Sequence, residues 1–182
     1  MKKQTKLPMD PFEKYYTKAI KFLSYRPRSE KEVRDRLKKK PRHSRLDREF
    51  IYPRFREDDS LKIIDQVIKK LKEQEFINDE EFAKWWIEQR NQFKPRSIRI
   101  IKMELKQKGI ASELIQAHIQ SSESRIQNDL KQAKKLVQKR IQRYKGLPKQ
   151  EVYQKLGLFL ARKGFGWDTI KESVDEILKE GV

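Results

Sequence analysis

With 182 residues, the chain can form one or two ordinary domains or one elongated array. It carries 45 Lys and Arg against 27 Asp and Glu, a net charge of +18, and this imbalance favours a polyanionic partner, nucleic acid first. Cysteine is absent, which excludes disulfides, thiolate nucleophiles and cysteine metal sites, and no stretch approaches the ~20 apolar residues that cross a bilayer.

Charged residues make up 40% of the chain, a level compatible with disorder, but the apolar residues are periodic and include three Trp, nine Phe and six Tyr. The expectation is a folded helical protein with a thin core. No apolar segment follows the opening Met-Lys-Lys, so a secretory signal is not expected, and the anticipated location is the cytoplasm.

Residues 1–10 are polar. The first helix is expected from Pro11 to Tyr25, with Phe12, Tyr15, Tyr16, Ala19, Ile20, Phe22 and Leu23 as its apolar face. Pro27 breaks it, because the residue before a proline avoids the helical region. Ser29 and Glu32 then form a capping box ahead of Val33 and Leu37. Residues 41–59 read as an insertion on a loop, with a short helix near Asp47–Tyr52. An amphipathic helix resumes from Leu61 to Glu75 through Ile64, Val67, Ile68 and Leu71.

Asn78 and Glu81 suggest a second capping box, leading into a helix through Phe82, Ala83, Trp86 and Arg90. Trp86 is expected in the core, with Trp85 nearer the surface. After Pro95, Ser97 caps a helix over Ile98–Lys108, which Gly109 ends in a left-handed conformation. Ser112 is expected to cap the helix carrying Ile115 and Ile119. A further helix opens near Asn128 and runs through Leu130, Ala133, Val137, Ile141 and Tyr144. The last helix follows Trp167-Asp168 and ends near Glu180-Gly181. No strand pattern of alternating apolar residues is present.

These elements repeat. Leu37, Leu105 and Leu160 align, each behind a proline turn at Pro27, Pro95 or Pro148. Upstream lie Ala19, Ala83 and Ala133; downstream lie apolar pairs four apart, Ile64/Ile68, Ile115/Ile119 and Ile170/Val174. Each block reads as helix, turn, helix, turn, helix, and such repeats stack so that neighbours bury each other's apolar faces. The blocks are drawn at residues 11–77, with the insertion 41–59, at 78–122 and at 128–180.

Catalytic chemistry finds little support. His43 and His118 fall in different blocks, and His43 with Asp47 makes too few ligands for zinc. No glycine-rich phosphate loop is present, and Asp58-Asp59 and Asp79-Glu80-Glu81 read as a solvated loop and a helix start. No cofactor, no metal and no enzyme activity are expected. The basic stripes carry more weight. They comprise Arg28, Arg34, Arg36, Lys38 and Lys39; Arg90, Lys94, Arg96, Arg99, Lys102 and Lys106; and Lys131, Lys135 and Lys139. Stripes of this kind suit contact with a phosphate backbone, which gives affinity without sequence readout.

Several motifs resemble the RecX family of recombinase regulators. They are Arg26-Pro-Arg-Ser-Glu30 with Val33 and Leu37; Leu71 with Phe76-Ile77-Asn78-Asp79-Glu80 and Phe82-Ala83; Leu105 with Lys108-Gly109-Ile110; and Phe159-Leu-Ala-Arg-Lys-Gly-Phe165. The resemblance extends from about Phe12 to Leu178. It implies an all-α fold, an elongated curved array of three tandem three-helix repeats. It also implies a protein without a catalytic site that binds the RecA filament in its groove on single-stranded DNA and limits filament growth, ATPase and strand exchange; separately, a monomer is expected. Direct binding to single-stranded or double-stranded DNA is a further implication, and a membrane is not a partner. The chain departs from the family pattern at Lys40-Pro41, where a Lys-Gly turn is expected, and in its high charge. A general, sequence-independent nucleic-acid-binding helical protein is the alternative reading, and a nuclease comes third.

Overall fold

The computed structural model describes residues 10–39, 57–119 and 122–179, and every regular element among them is helical. In chain order they are α1 (Pro11–Leu23), α2 (Glu30–Lys38), α3 (Glu57–Glu73), α4 (Asp79–Gln92), α5 (Ile98–Gln107), α6 (Ser112–His118), α7 (Ser122–Ile141), α8 (Lys149–Arg162) and α9 (Trp167–Lys179), with one 3-10 turn at Gln142–Tyr144. They follow the triplet order that the repeat implies: α1–α3, α4–α6 and α7–α9. The chain divides into two compact units, residues 1–82 and 83–182.

In the first unit α1, α2 and α3 pack together around Ala19, Val33, Leu37, Ile64, Val67, Ile68, Leu71 and Ile77. In the second, α7, α8 and α9 enclose Ala133, Val137, Ile141, Val152, Leu156, Leu160, Phe165, Ile170, Val174 and Ile177. Phe82, Ala83, Ile98, Ile101, Leu105, Ile110, Ile115 and Ile119 are the buried apolar residues of α4–α6 and their turns. The aligned leucines of the central helices are all sealed from solvent, as are the aligned alanines. Ala at that position leaves room for close helix approach.

The helix boundaries follow from local chemistry. The Ser29 side chain accepts from the Glu32 N–H while the Glu32 carboxylate accepts from the Ser29 N–H, a complete capping box. Ser97 accepts from the Ile100 N–H in the equivalent place. The third central helix starts after Pro148, which has no capping side chain and offers its carbonyl to the Glu151 and Val152 amides. Three helices end in the same Schellman turn. In α5 the Ile110 N–H returns to the Leu105 carbonyl and the Gly109 N–H to Lys106; in α8 Phe165 returns to Leu160 and Gly164 to Ala161. In α3 Phe76 returns to Leu71 and Glu75 to Lys72. Gly109 and Gly164 take the left-handed position at φ 82° and 88°; Glu75 takes it at φ 57°.

Four expectations need correction. Asp58 and Asp59 lie in the first turn of α3, not in a loop, where their charge complements the positive end of the helix dipole. The rest of the expected insertion, including Asp47–Tyr52 and His43, lies outside the described residues. The cap of α6 is Ala111, with extended backbone and no side-chain hydrogen bond; the Gly109-Ile110 turn restarts the helix one residue before Ser112 could cap it. The helix α7 begins at Ser122, six residues before Asn128. The first helix stops at Leu23, two residues before Tyr25.

Candidate nucleic-acid interface

The expected basic residues fall into two classes once placed on the helices. Some are spent on the fold. Arg34 bonds Glu30 at 2.6 Å and also pairs with Asp65 on α3; Lys72 adds a second cation to Glu30 at 2.6 Å. Burial alone would raise the Glu30 pKa, but Lys72 and Arg34 outweigh it and hold that carboxyl below its ordinary range. Arg90 bonds Glu104 at 2.6 Å and lies 4.3 Å over the Trp86 ring. Arg96 reaches the other Glu104 oxygen at 3.5 Å. Arg28 lies 4.0 Å over the Phe22 ring, and its guanidinium pKa is lowered by burial first and then by Arg26. These arginines tie helices together through charge and ring contacts, a use that Arg suits better than Lys because its planar head can bond and stack at once.

The other class is open to solvent. Arg36, Lys38 and Lys39 are exposed on and just after α2; Lys94, Arg99 and Lys106 are exposed around α5; Lys131, Lys135 and Lys139 are exposed on α7. The last three stand four residues apart and so form one stripe along the helix. Lys102 is half-buried. Lys134, between two members of that stripe, pairs instead with Glu176 on α9 at 2.5 Å.

Trp86 does not join the core as expected. Its ring and that of Trp85 are both half-buried, and Trp86 sits between cations, Arg90 on one contact and Lys108 at 4.2 Å on another. Its indole N–H donates to Glu104 at 3.0 Å. A polar N–H explains the position, because an indole buried fully would need an equivalent acceptor inside.

Sequence reasoning missed two basic residues. Arg140 on α7 lies 4.2 Å over the Phe159 ring and donates to the Tyr144 hydroxyl at 3.0 Å. Lys163, which follows α8, has its ammonium 5.7 Å from the same ring. The spacing Phe159 to Lys163 is one helical turn, a signal that was present in the sequence; the approach of Arg140 from another helix was not.

No grouping of three or more His, Cys, Asp or Glu fit to hold a metal is found among the described residues, and none of the described helices is long and apolar enough to cross a membrane.

Comparison with known proteins matches this architecture block by block. The family model for the first three-helix domain of RecX matches residues 16–40, that for the second matches 78–119, and that for the third matches 127–174. The chain is 32% identical over 168 residues to the Bacillus subtilis protein named regulatory protein RecX, covering 92% of this chain and 56% of the relative. It is also 32% identical over 173 residues to the protein of that name from Listeria welshimeri, covering 94% and 56%. The chain thus spans little more than half the length of these curated relatives. The crystal structure of RecX from Lactobacillus salivarius superimposes with a TM-score of 0.63 at 24% identity, over 91% of this chain and 95% of that one, and so shares the fold. With all three domain models matched in order along an all-helical chain, the protein belongs to the RecX family.

Proposed function

We propose that the chain regulates the RecA recombinase by binding its filament on single-stranded DNA and limiting filament growth, ATPase activity and strand exchange. The ordered match to all three RecX domain models carries this reading. Tandem three-helix blocks, drawn at residues 11–77, 78–122 and 128–180, supply several separate contact surfaces. Weak contacts made together by linked blocks sum to strong binding. The solvent-facing cations Arg36, Lys38, Lys39, Arg99, Lys106, Lys131, Lys135 and Lys139 are the surface proposed to meet DNA or acidic filament surface. Lys94 belongs to the same solvent-facing set, and Arg28, Arg34, Arg90, Arg96 and Lys102, each half-buried, are the remaining basic candidates. In this reading the protein acts in the cytoplasm, as a monomer, without a catalytic step.

The net charge of +18 also favours a plainer reading, sequence-independent binding to nucleic acid without a recombinase. One experiment separates the two. The ATPase rate of RecA on single-stranded DNA is measured at fixed, physiological salt while this protein is titrated. A fall in rate at amounts well below one protein per RecA supports filament regulation. An unchanged rate until the protein coats the DNA supports the plainer reading.

A further inference from the structure

The unit spanning residues 83–182 gathers cations that the sequence scatters from residue 90 to residue 163. The Ser97 N–H donates to the Lys163 carbonyl at 3.1 Å. Gly164 is seated so closely there that an added Cβ would stand 2.2 Å from Ile100 Cγ1 and 2.7 Å from Ser97 Oγ. The turn bearing Lys94 and Arg96 is thereby fixed beside the C-terminal end of α8. Phe159, one turn before Lys163, brings in a third segment, because the Arg140 guanidinium from α7 and the Lys163 ammonium both approach its ring, at 4.2 and 5.7 Å.

Charge in this group is unbalanced. Glu104 serves both Arg90 and Arg96. Lys94, Arg140 and Lys163 make no ion pair among the described residues; Arg140 and Lys163 rest on an aromatic face instead. Burial lowers the Lys163 pKa, and repulsion from Arg96, Arg140, Arg90 and Lys94 lowers it further. Fixed cations that repel one another form a preorganised anion site, since an arriving anion relieves repulsion already built into the fold.

That the donors come from three separate segments favours one class of anion. A carboxylate is planar and is met best by one guanidinium fork in its own plane. Here the donors come from the α4–α5 turn, from α7 and from the end of α8, and a tetrahedral group with oxygens out of plane meets such a set more fully. We propose that Arg96, Arg140 and Lys163 form a binding site for a backbone phosphate of a nucleic-acid strand. The inference rests on the DNA-binding part of the function proposed above, and its test omits RecA so that the two can fail separately.

Binding of a fluorescein-labelled oligothymidylate of about 15 nucleotides, long enough to cover a typical single-strand site, is followed by anisotropy across a salt series. The variant Arg140→Gln/Lys163→Gln is compared with Lys171→Gln/Lys179→Gln, which removes equal charge from exposed positions on α9. The first variant is expected to bind about tenfold more weakly, with the slope of log K against log salt reduced by roughly 0.7 for each phosphate that is no longer neutralised. The second should change affinity by less than about twofold with an unaltered slope, as removal of diffuse charge alone implies. Equal weakening in both variants would overturn the site. So would selective loss of polyglutamate binding with oligonucleotide binding intact, which would assign the cluster to an acidic protein. Selective loss of inorganic phosphate binding alone would assign it to a small anion and overturn it equally. Should the double variant melt early, Lys163→Gln alone keeps Arg140 on Phe159; about threefold weaker oligonucleotide binding supports the site, and unchanged binding overturns it.

Discussion

The Asp129 carboxylate accepts a hydrogen bond of 2.9 Å from the backbone N–H of Ile98, the first residue of α5. Asp79 makes the same bond, at 2.8 Å, to Glu30, the first residue of α2. In each case the first helix of one block caps the central helix of the block before it, satisfying an amide that the helix itself leaves open. Burial raises the pKa of both carboxyls, opposed by the hydrogen bond each accepts. The acceptor atom therefore matters more than the charge. Asp129→Ala is expected to lower stability by about 1 kcal/mol, the usual cost of removing a cap. Asp129→Asn keeps an acceptor and drops the desolvated charge, so it should stay within about 0.5 kcal/mol of the parent at neutral pH. Chemical denaturation of both variants checks the contrast; equal destabilisation would show that the charge, and not the acceptor, holds the joint.

The three Schellman turns predict a stabilising change at Glu75. A side chain at φ 57° costs roughly 1 kcal/mol relative to glycine in the same place. Glu75→Gly is thus expected to raise stability by about 0.5–1 kcal/mol, allowing for the greater freedom of glycine in the unfolded chain. The other glycines should respond by their surroundings. Gly146 has φ 84° and open space around it, so Gly146→Ala should cost only about 1 kcal/mol of backbone strain. Gly164→Ala meets Ile100 and Ser97 as well and should cost roughly 2–4 kcal/mol, strain and overpacking together. Thermal melts of the three variants should rank them in that order.

Much of this architecture can be read from the residues. The prolines at 27, 95 and 148 mark the turn before each central helix, and Ser29 with Glu32 gives both halves of its capping box. Leu37, Leu105 and Leu160 mark the buried faces. What escaped depends on chain segments meeting. Asn78-Asp79 and Asn128-Asp129 stand five and four residues ahead of the aligned Ala83 and Ala133, a repeat visible in the sequence. Its bond to a helix 49 or 31 residues away is not visible there. Periodicity placed Trp86 in the core because it weighs a side chain by its apolar surface; the indole N–H and three neighbouring charged groups held it at the margin. Among the basic residues, composition could not separate Arg34, committed to Glu30 and Asp65, from Arg36, open to solvent two positions later.

Lys18 gives stability a pH dependence. Burial first, and Arg36 second, lower its pKa to about 8, while its ammonium donates to the Leu37 and Lys39 carbonyls at 3.3 Å. The unfolded chain would hold this proton up to about pH 10.4. Between the two values the unfolded state binds more protons than the folded state, so this group makes stability rise with pH. Below about pH 8 the folded state carries the full cost of a desolvated charge. Lys18→Met should therefore flatten the rise in stability between pH 8 and pH 10 relative to the parent chain. Denaturation midpoints at several pH values across that range provide the check, and parallel curves would reject the assignment to Lys18.

Glu104 links the fold to the proposed phosphate site, and the two effects of changing it have opposite signs. Its carboxylate accepts from the Trp86 indole at 3.0 Å and from Arg90 at 2.6 Å, with Arg96 at 3.5 Å. Glu104→Gln leaves an acceptor for one of these donors but removes the charge that both arginines share. A drop of roughly 1–3 kcal/mol in stability is expected, the range for hydrogen bonds to a charged group. The same change leaves Arg90 and Arg96 without their counter-charge beside Arg140 and Lys163, so an anion gains attraction there. Oligonucleotide binding by the folded variant should tighten by about threefold to tenfold, and the gain should shrink as salt rises. The effects are measured on one sample, stability by denaturant titration and binding by anisotropy at a temperature where the variant is folded. If Glu104→Gln weakens the fold and leaves binding unchanged, Arg96 does not face the strand and the carboxylate serves the fold alone. Tighter binding at lower stability would show that Glu104 restrains the cation cluster while holding it in place.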